Sequence, residues 1–123
     1  MLIRYKQNQE KIAMGLLSFM PTEKDDVRML QQTMRNYMEH ANWHLYLWKE
    51  EDDIVGAIGF KIEDELSVVV QHISVNPSYR NMGIGRKMID AVKEMYGEKY
   101  DICSNELTND FFHKCTDTED EEE

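Results

Sequence analysis

Two features of this 123-residue chain could carry chemistry: His72, and the segment Arg80-Asn81-Met82-Gly83-Ile84-Gly85 that follows it. The two glycines free the backbone to turn, and the amides they expose open a helix, which makes an anion cradle. The helix dipole adds about half a positive charge there, so a pyrophosphate is the natural guest. Spacing narrows the choice of phosphate binder. A dinucleotide fingerprint G-x-G-x-x-G needs a small residue where this chain has Met88. A P-loop needs Gly-Lys-Ser/Thr, and Gly85-Arg86-Lys87-Met88 does not supply it. What remains is R-x-x-G-x-G behind an apolar strand and Val75-Asn76-Pro77.

Imidazole changes charge between pH 5 and 8, so His72 has the chemistry of a general base. A half-buried histidine hydrogen-bonded between strands is an equally good reading. Glu63 and Glu65 sit in a turn and read as solvated; Asp101 and Glu106 are weaker candidates still. His40, His44 and His113 lack ligand spacing, so no metal site is expected.

The elements that must position these groups follow from periodicity. Leu2-Ile3-Arg4-Tyr5 is a short strand. Ile12, Leu16, Leu17 and Met20 recur at helical spacing up to Pro21. Thr22 opens a second helix with Asp25 as a capping-box acid, and Val27, Leu30, Met34, Tyr37, Met38 and Ala41 form its apolar face. Trp43–Trp48, Ile54–Ile62 and Leu66–Val75 read as three strands joined by short acidic turns, an antiparallel meander. The glycines of the second of these, Gly56 and Gly59, predict close approach of another element. Ile84, Met88, Val92 and Met95 mark a helix ending at Gly97 as its C′ residue. Tyr100–Cys103 is a strand that can lie parallel to the third, and Leu107, Phe111, Phe112 and Cys115 form a last helix. The class is α+β: a mostly antiparallel sheet with one parallel strand–helix–strand crossover at the cradle.

Composition sets the limits. At 41% hydrophobic and 31% charged residues the chain reads as a globular protein. No apolar run approaches the ~18 residues of a membrane span, and the N-terminus lacks the apolar block of a secretion signal. The net charge of −10 is concentrated at the end, because residues 116–123 carry six acidic groups and no basic one. The other residues hold 18 acids against 14 bases, which argues against nucleic-acid binding by charge. Residues 1–115 are expected to form one domain and 116–123 a disordered acidic tail. Cys103 and Cys115 are too few for a disulfide framework or a zinc site and fit reduced thiols in the cytoplasm.

Arg80-Asn81-Met82-Gly83-Ile84-Gly85 resembles the [QR]-x-x-G-x-[GA] acyl-CoA motif of the GNAT superfamily of N-acetyltransferases. Ile73-Ser74-Val75-Asn76-Pro77 before it, the helix after it and the element order agree. The resemblance covers about residues 1–115 and implies a three-layer GNAT-like α/β fold. It further implies acetyl-CoA as donor, an amine as acceptor, and transfer by direct attack in a ternary complex. Pyrophosphate would take amides from Arg80, Asn81, Met82, Gly83, Ile84 and Gly85, with Arg86 and Lys87 adding charge. Pantetheine would pair like a strand with Ile73, Ser74 and Val75, whose amides also supply an oxyanion donor. Neither membrane nor nucleic acid is implied, and the chain is expected to be a monomer or a homodimer.

Two departures follow from the same resemblance. The family's last helix carries an Asn near its start and, seven residues on, a Tyr that protonates the leaving thiolate. Asn105 matches, but Phe112 stands at the tyrosine position and can only pack. Expelling a thiol of pKa near 8.5 as thiolate at pH 7 costs about 2 kcal/mol, so the change should slow turnover without forbidding it. Family members also continue into a further strand pair, whereas this sequence passes from Cys115 into the acidic tail. Truncation there leaves the acceptor site open, closed by another subunit, or degenerate. A CoA-binding regulatory module with weak or no catalysis is therefore the alternative.

Overall fold

The computed structural model describes residues 1–20, 26–105 and 108–109. In chain order these form β1 (Leu2–Arg4), α1 (Glu10–Leu17), α2 (Val27–Glu39), β2 (Trp43–Glu50), β3 (Asp53–Glu63), β4 (Ser67–Val75), α3 (Ile84–Tyr96) and β5 (Asp101–Ser104). Short 3-10 turns at Gln7–Gln9 and Pro77–Tyr79 precede α1 and α3. The five strands pair in sequence order. The first four are antiparallel and β5 runs parallel to β4, as the short turns and the single crossover predict. The last helix expected from Leu107 lies almost wholly outside the described residues, as do Phe112, Cys115 and the acidic tail.

Three layers result from the two-residue alternation of β3. Ala57 faces one side and packs with Ala13, Leu16, Leu17 and Met20 of the α1 region and Leu30, Met34 and Tyr37 of α2. Ile58 and Phe60 face the other side and pack with Ile84, Met88, Ile89 and Val92 of α3. Burying each of these large side chains is worth about 1.5–3 kcal/mol, so α3 is anchored to the sheet by its packing. The glycines of β3 mark close approaches, as expected. A Cβ on Gly56 would lie 3.1 Å from Met88 Sδ, and one on Gly59 would lie 1.9 Å from the Tyr37 hydroxyl.

Several helix details differ from the periodic reading. The cap of α2 is Asp26, whose carboxylate accepts from the Met29 amide at 3.0 Å, rather than Thr22; Thr22 and Asp25 lie outside the described residues. The buried stripe of α2 is Leu30, Thr33, Met34 and Tyr37, while Val27 and Met38 are exposed. In α1, Ala13 rather than Ile12 continues the Leu16/Leu17 face; Ile12 is 47% exposed. Gly97 is right-handed, at φ −65°, and not a left-handed C′ residue. Its lack of a side chain matters because a Cβ would sit 2.4 Å from the Lys93 carbonyl oxygen.

A matched pair of glycine substitutions separates these roles. Gly59→Ala is expected to destabilise the protein by about 1–3 kcal/mol, because Tyr37 must be displaced from a packed layer. Gly15→Ala lies on the exposed face of α1, where a new Cβ meets nothing within 4 Å, and is expected to stabilise by about 0.5–1 kcal/mol. Urea unfolding of both variants reads the two signs.

Candidate active site

The site is built where β4 is irregular. Gly59 pairs with His72, but the next residue, Phe60, pairs with Val70, so Gln71 is an extra residue bulged from β4. A bulge reverses which face each later residue points to. Val68 and Val70 before it, and Ile73 and Val75 after it, all join the α3 layer. His72 and Ser74 are thereby turned to the other side. Ser74 donates its hydroxyl hydrogen to the Leu16 carbonyl of α1 at 2.5 Å, and His72 Nδ1 lies 2.6 Å from the Tyr37 hydroxyl of α2. Both are buried, so the candidate base sits inside the α1/α2 layer at the bulge.

The same bulge ends the pairing with β5. The parallel ladder runs from Ser67↔Asp101 to Val70↔Ser104. Beyond it, Ile73, Ser74 and Val75 have no β5 partner among the described residues. A wedge of polar groups holds the fork. The Thr108 hydroxyl, on a side chain 1% exposed, donates to the Val70 carbonyl at 2.8 Å. Asn105 and Thr108 cap each other reciprocally, the Asn105 amide on Thr108 Oγ1 at 3.1 Å and the Thr108 amide on Asn105 Oδ1 at 2.9 Å. Asn105 Nδ2 also reaches Gln71 Oε1 on the bulge at 3.2 Å. Thr108→Val is expected to cost about 1–3 kcal/mol, since it leaves a buried carbonyl without its donor. A fall in melting temperature of several degrees in a thermal scan checks it.

From Val75 the chain enters the cradle. The Asn76 side chain accepts from the Ser78 amide at 2.9 Å, and Pro77 opens the 3-10 turn. Asn81, at φ 67°, and Gly83, at φ 74°, are left-handed. Asn and Gly are the residues that tolerate this region best. Gly83 is the N-cap of α3, and among the described residues no side chain caps the helix start. The first-turn amides of a helix have no intrahelical acceptor, so they are offered to whatever anion lies there. A Cβ on Gly83 would meet nothing within 4 Å, so the space before the helix is open. Arg80, Asn81, Met82 and Gly83 are exposed around it, whereas Ile84 and Gly85 are buried in the first turn.

Charge at the cradle is mixed. Arg86 Nε lies 3.7 Å from Asp90 and Lys87 Nζ 4.0 Å from Glu50. The Trp48 indole N–H, 2.7 Å from Glu50, holds that carboxyl below its ordinary range, with a smaller contribution from Lys87. Tyr79, in the turn before the cradle, donates to Asp53 at 3.2 Å, and this bond raises its phenol above the usual value. Arg80 forms no ion pair among the described residues.

The weaker sequence candidates fall elsewhere. Glu63 pairs with Lys61 at 2.8 Å, Glu65 is an exposed left-handed turn residue, and Asp101 is exposed on β5. His40 lies 5.9 Å from Trp43 and His44 packs on Phe60. Glu106 and His113 are outside the described residues. Among the described residues no group of His, Cys, Asp and Glu could hold a metal, and no helix is long and apolar enough to cross a membrane. Sequence reasoning missed Tyr37, Gln71 and Thr108. For Gln71 a signal existed, since the apolar parity of Val68-Val69-Val70-Gln71-His72-Ile73-Ser74-Val75 shifts at that residue.

Comparison with known proteins agrees with this geometry. The model of the acetyltransferase (GNAT) family matches residues 8–115. A Bacillus methanolicus protein named as an uncharacterized N-acetyltransferase in the lysA 3′ region is 53% identical over 115 residues, 94% of each chain. Among solved structures, the apo aminoglycoside antibiotic 6′-N-acetyltransferase AAC(6′)-IG of Acinetobacter haemolyticus superposes with a TM-score of 0.74 at 13% identity. That match covers 96% of this chain and 88% of the other. A GNAT family acetyltransferase from Elizabethkingia anophelis with acetyl-CoA bound matches at TM-score 0.63 and 20% identity, covering 80% of this chain and 58% of the other. With the family matched over nearly the whole chain and the fold shared, this protein belongs to the acetyltransferase (GNAT) family of enzymes.

Proposed function

We propose that this enzyme transfers the acetyl group of acetyl-CoA to a primary amine, of a small molecule or a protein, by direct attack in a ternary complex. The observation that carries the donor half is the left-handed, uncapped start of α3 at Gly83, facing open space beside the stretch of β4 that has no β5 partner among the described residues. The residues fit the donor. First-turn amides and exposed Arg80 suit a pyrophosphate, and the Ile73–Val75 edge suits an extended amide-bearing arm. When bound, acetyl-CoA supplies an activated acyl group. The chain's part is to orient it, to exclude water on the buried side of β4, and to take the proton that the attacking amine loses.

His72 is the residue read as taking that proton, and the amides of Ile73–Val75 as donating to the developing oxyanion. Asn105 acts on the site through Gln71. Packing of Phe112 against the donor remains part of the reading, although that residue is outside the described ones. The segments YLWKE at 46–50, DIVGAIG at 53–59 and HISVNPSYR at 72–80 also resemble RibT, the small protein associated with bacterial riboflavin operons. That likeness is the sole support for a link to flavin metabolism and says nothing about the acceptor. Two cysteines without a framework support a cytoplasmic setting.

Isothermal titration with acetyl-CoA and CoA tests the donor half, and thiol release across a panel of amines tests transfer. Saturable binding of both ligands and amine-dependent release are expected. No heat at millimolar ligand would sink the donor assignment. Binding without release for any amine would favour a CoA-binding module.

A further inference from the structure

We propose that the notch between the end of β1 and the end of α2 is a binding site for a small aromatic carboxylate, separate from the cradle at Gly83. β1 stops at Arg4, which pairs with Tyr46 of β2. One further bond, from the Tyr5 amide to the Leu45 carbonyl at 3.0 Å, carries the contact on. The chain then leaves the sheet through the 3-10 turn Gln7–Gln9, held by the Gln9 side chain on the Lys6 amide at 2.8 Å. The first residues of β2 therefore run past the end of β1, and a cavity of about 260 Å³ opens there. That is just under the roughly 300–1,000 Å³ of drug-sized sites, and it suits one ring with a short polar arm.

The walls set the chemistry. Tyr37 and Trp43 meet edge to face, with ring centroids 5.2 Å apart at 74°, and both line the cavity. Two rings near a right angle form a corner against which a third can stack. Because β1 has ended, residues of both sheet faces reach the notch. Tyr5 and Trp43 come from the α1/α2 side, and His44, packed on Phe60, comes from the α3 side. Burial, and then the neighbouring Arg4 charge, lower the His44 pKa and keep its imidazole neutral. Arg4, exposed at the rim, is thus the one charged side chain lining the cavity among the described residues, and no carboxylate lines it. Such a lining favours an anion over an ammonium group. The Tyr5 hydroxyl oxygen, in the same wall, is buried and has no hydrogen-bond partner among the described residues. Burial, and less strongly Glu10, raise its pKa, so it stays an O–H donor. Buried polar groups seldom lack a partner, and a slight turn of the ring presents this one to a carboxylate.

Nitrogen–proton correlation spectra of the full chain, titrated with phenylacetate, test the site. Saturable shifts are expected at the Trp43 indole, identified by its loss in Trp43→Leu, and at the amides of Tyr5, His44 and Leu45. Phenethylamine keeps the ring and replaces the carboxylate with an ammonium; acetate keeps the carboxylate and lacks the ring. Each should bind at least ~10-fold more weakly than phenylacetate. Arg4→Gln, a change at an exposed position, should weaken phenylacetate by about 10-fold, the loss of one charge-assisted bond. No saturable shift by about 10 mM phenylacetate, equal affinity for the amine, or shifts confined to Gly83 and Gly85 would each overturn the proposal. Titrating acetyl-CoA into the same sample reads the cradle separately, so failure of the donor assignment and failure of this site are distinguishable.

Discussion

Replacing His72 with Gln is expected to lower kcat for amine acetylation by about 10²–10⁴-fold, the usual contribution of a general acid or base. The protein should stay folded. The choice of Gln matters because His72 is 7% exposed and bonded to Tyr37. Removing its polar atoms would take a hydrogen-bond partner from the buried phenol at a cost of about 1–3 kcal/mol, and lost activity could then mean lost structure. Gln keeps an amide that can meet the phenol and cannot act as a base. The donor KM should not change, because the cradle at Gly83 lies beyond the end of β4. Steady-state thiol release, with melting temperatures measured alongside, separates the outcomes. Retention of kcat within a factor of three would exclude His72 as base and leave its role as the bond between α2 and β4.

The fold was legible because its signals are local and repeat. Alternation in Trp43–Trp48, the apolar run Ile54–Ile62, short acidic turns and one long crossover are enough to order the sheet. Helix faces were read less well where the inward residue is weakly apolar. Ala13 is fully buried although Ile12 beside it is far more hydrophobic, because the helix turn and not the side chain decides which position meets the sheet. The Gly83 cradle was legible for a different reason: glycine at the head of a helix is a local backbone requirement.

What joins the site together was not legible. Tyr37 and His72 are 35 positions apart, and their meeting depends on a bulge and on an absent side chain at Gly59. The bulge also explains two facts that look unrelated in sequence. It points His72 into the α1/α2 layer, and it frees the β4 edge beyond Val70 that the Thr108 and Asn105 wedge then holds apart from β5. One inserted residue thus sets both the place of the candidate base and the opening beside the free edge of β4.

Gly83→Asp tests the cradle with little collateral damage to the fold. The position is left-handed, which costs most residues about 1–2 kcal/mol, but Asp adopts that region more readily than most. A carboxylate near a helix N-terminus is also stabilised by the dipole, by about 0.3–1 kcal/mol. Nothing lies within 4 Å of the new Cβ, so no neighbour has to move. These terms nearly cancel, and the melting temperature should change by a few degrees at most. Binding is different, because the new charge stands where a pyrophosphate would lie. Two like charges about 4–5 Å apart at an effective dielectric near 20 repel by about 3–4 kcal/mol. Affinity for both CoA and acetyl-CoA should therefore fall at least ~100-fold by titration calorimetry. Raising the salt concentration should recover part of the loss, since the repulsion is partly solvent-exposed. Gly83→Ala, with the same backbone strain and no charge, should lose much less. If Asp and Ala weaken binding equally, the left-handed geometry matters and the anion does not sit at the helix start.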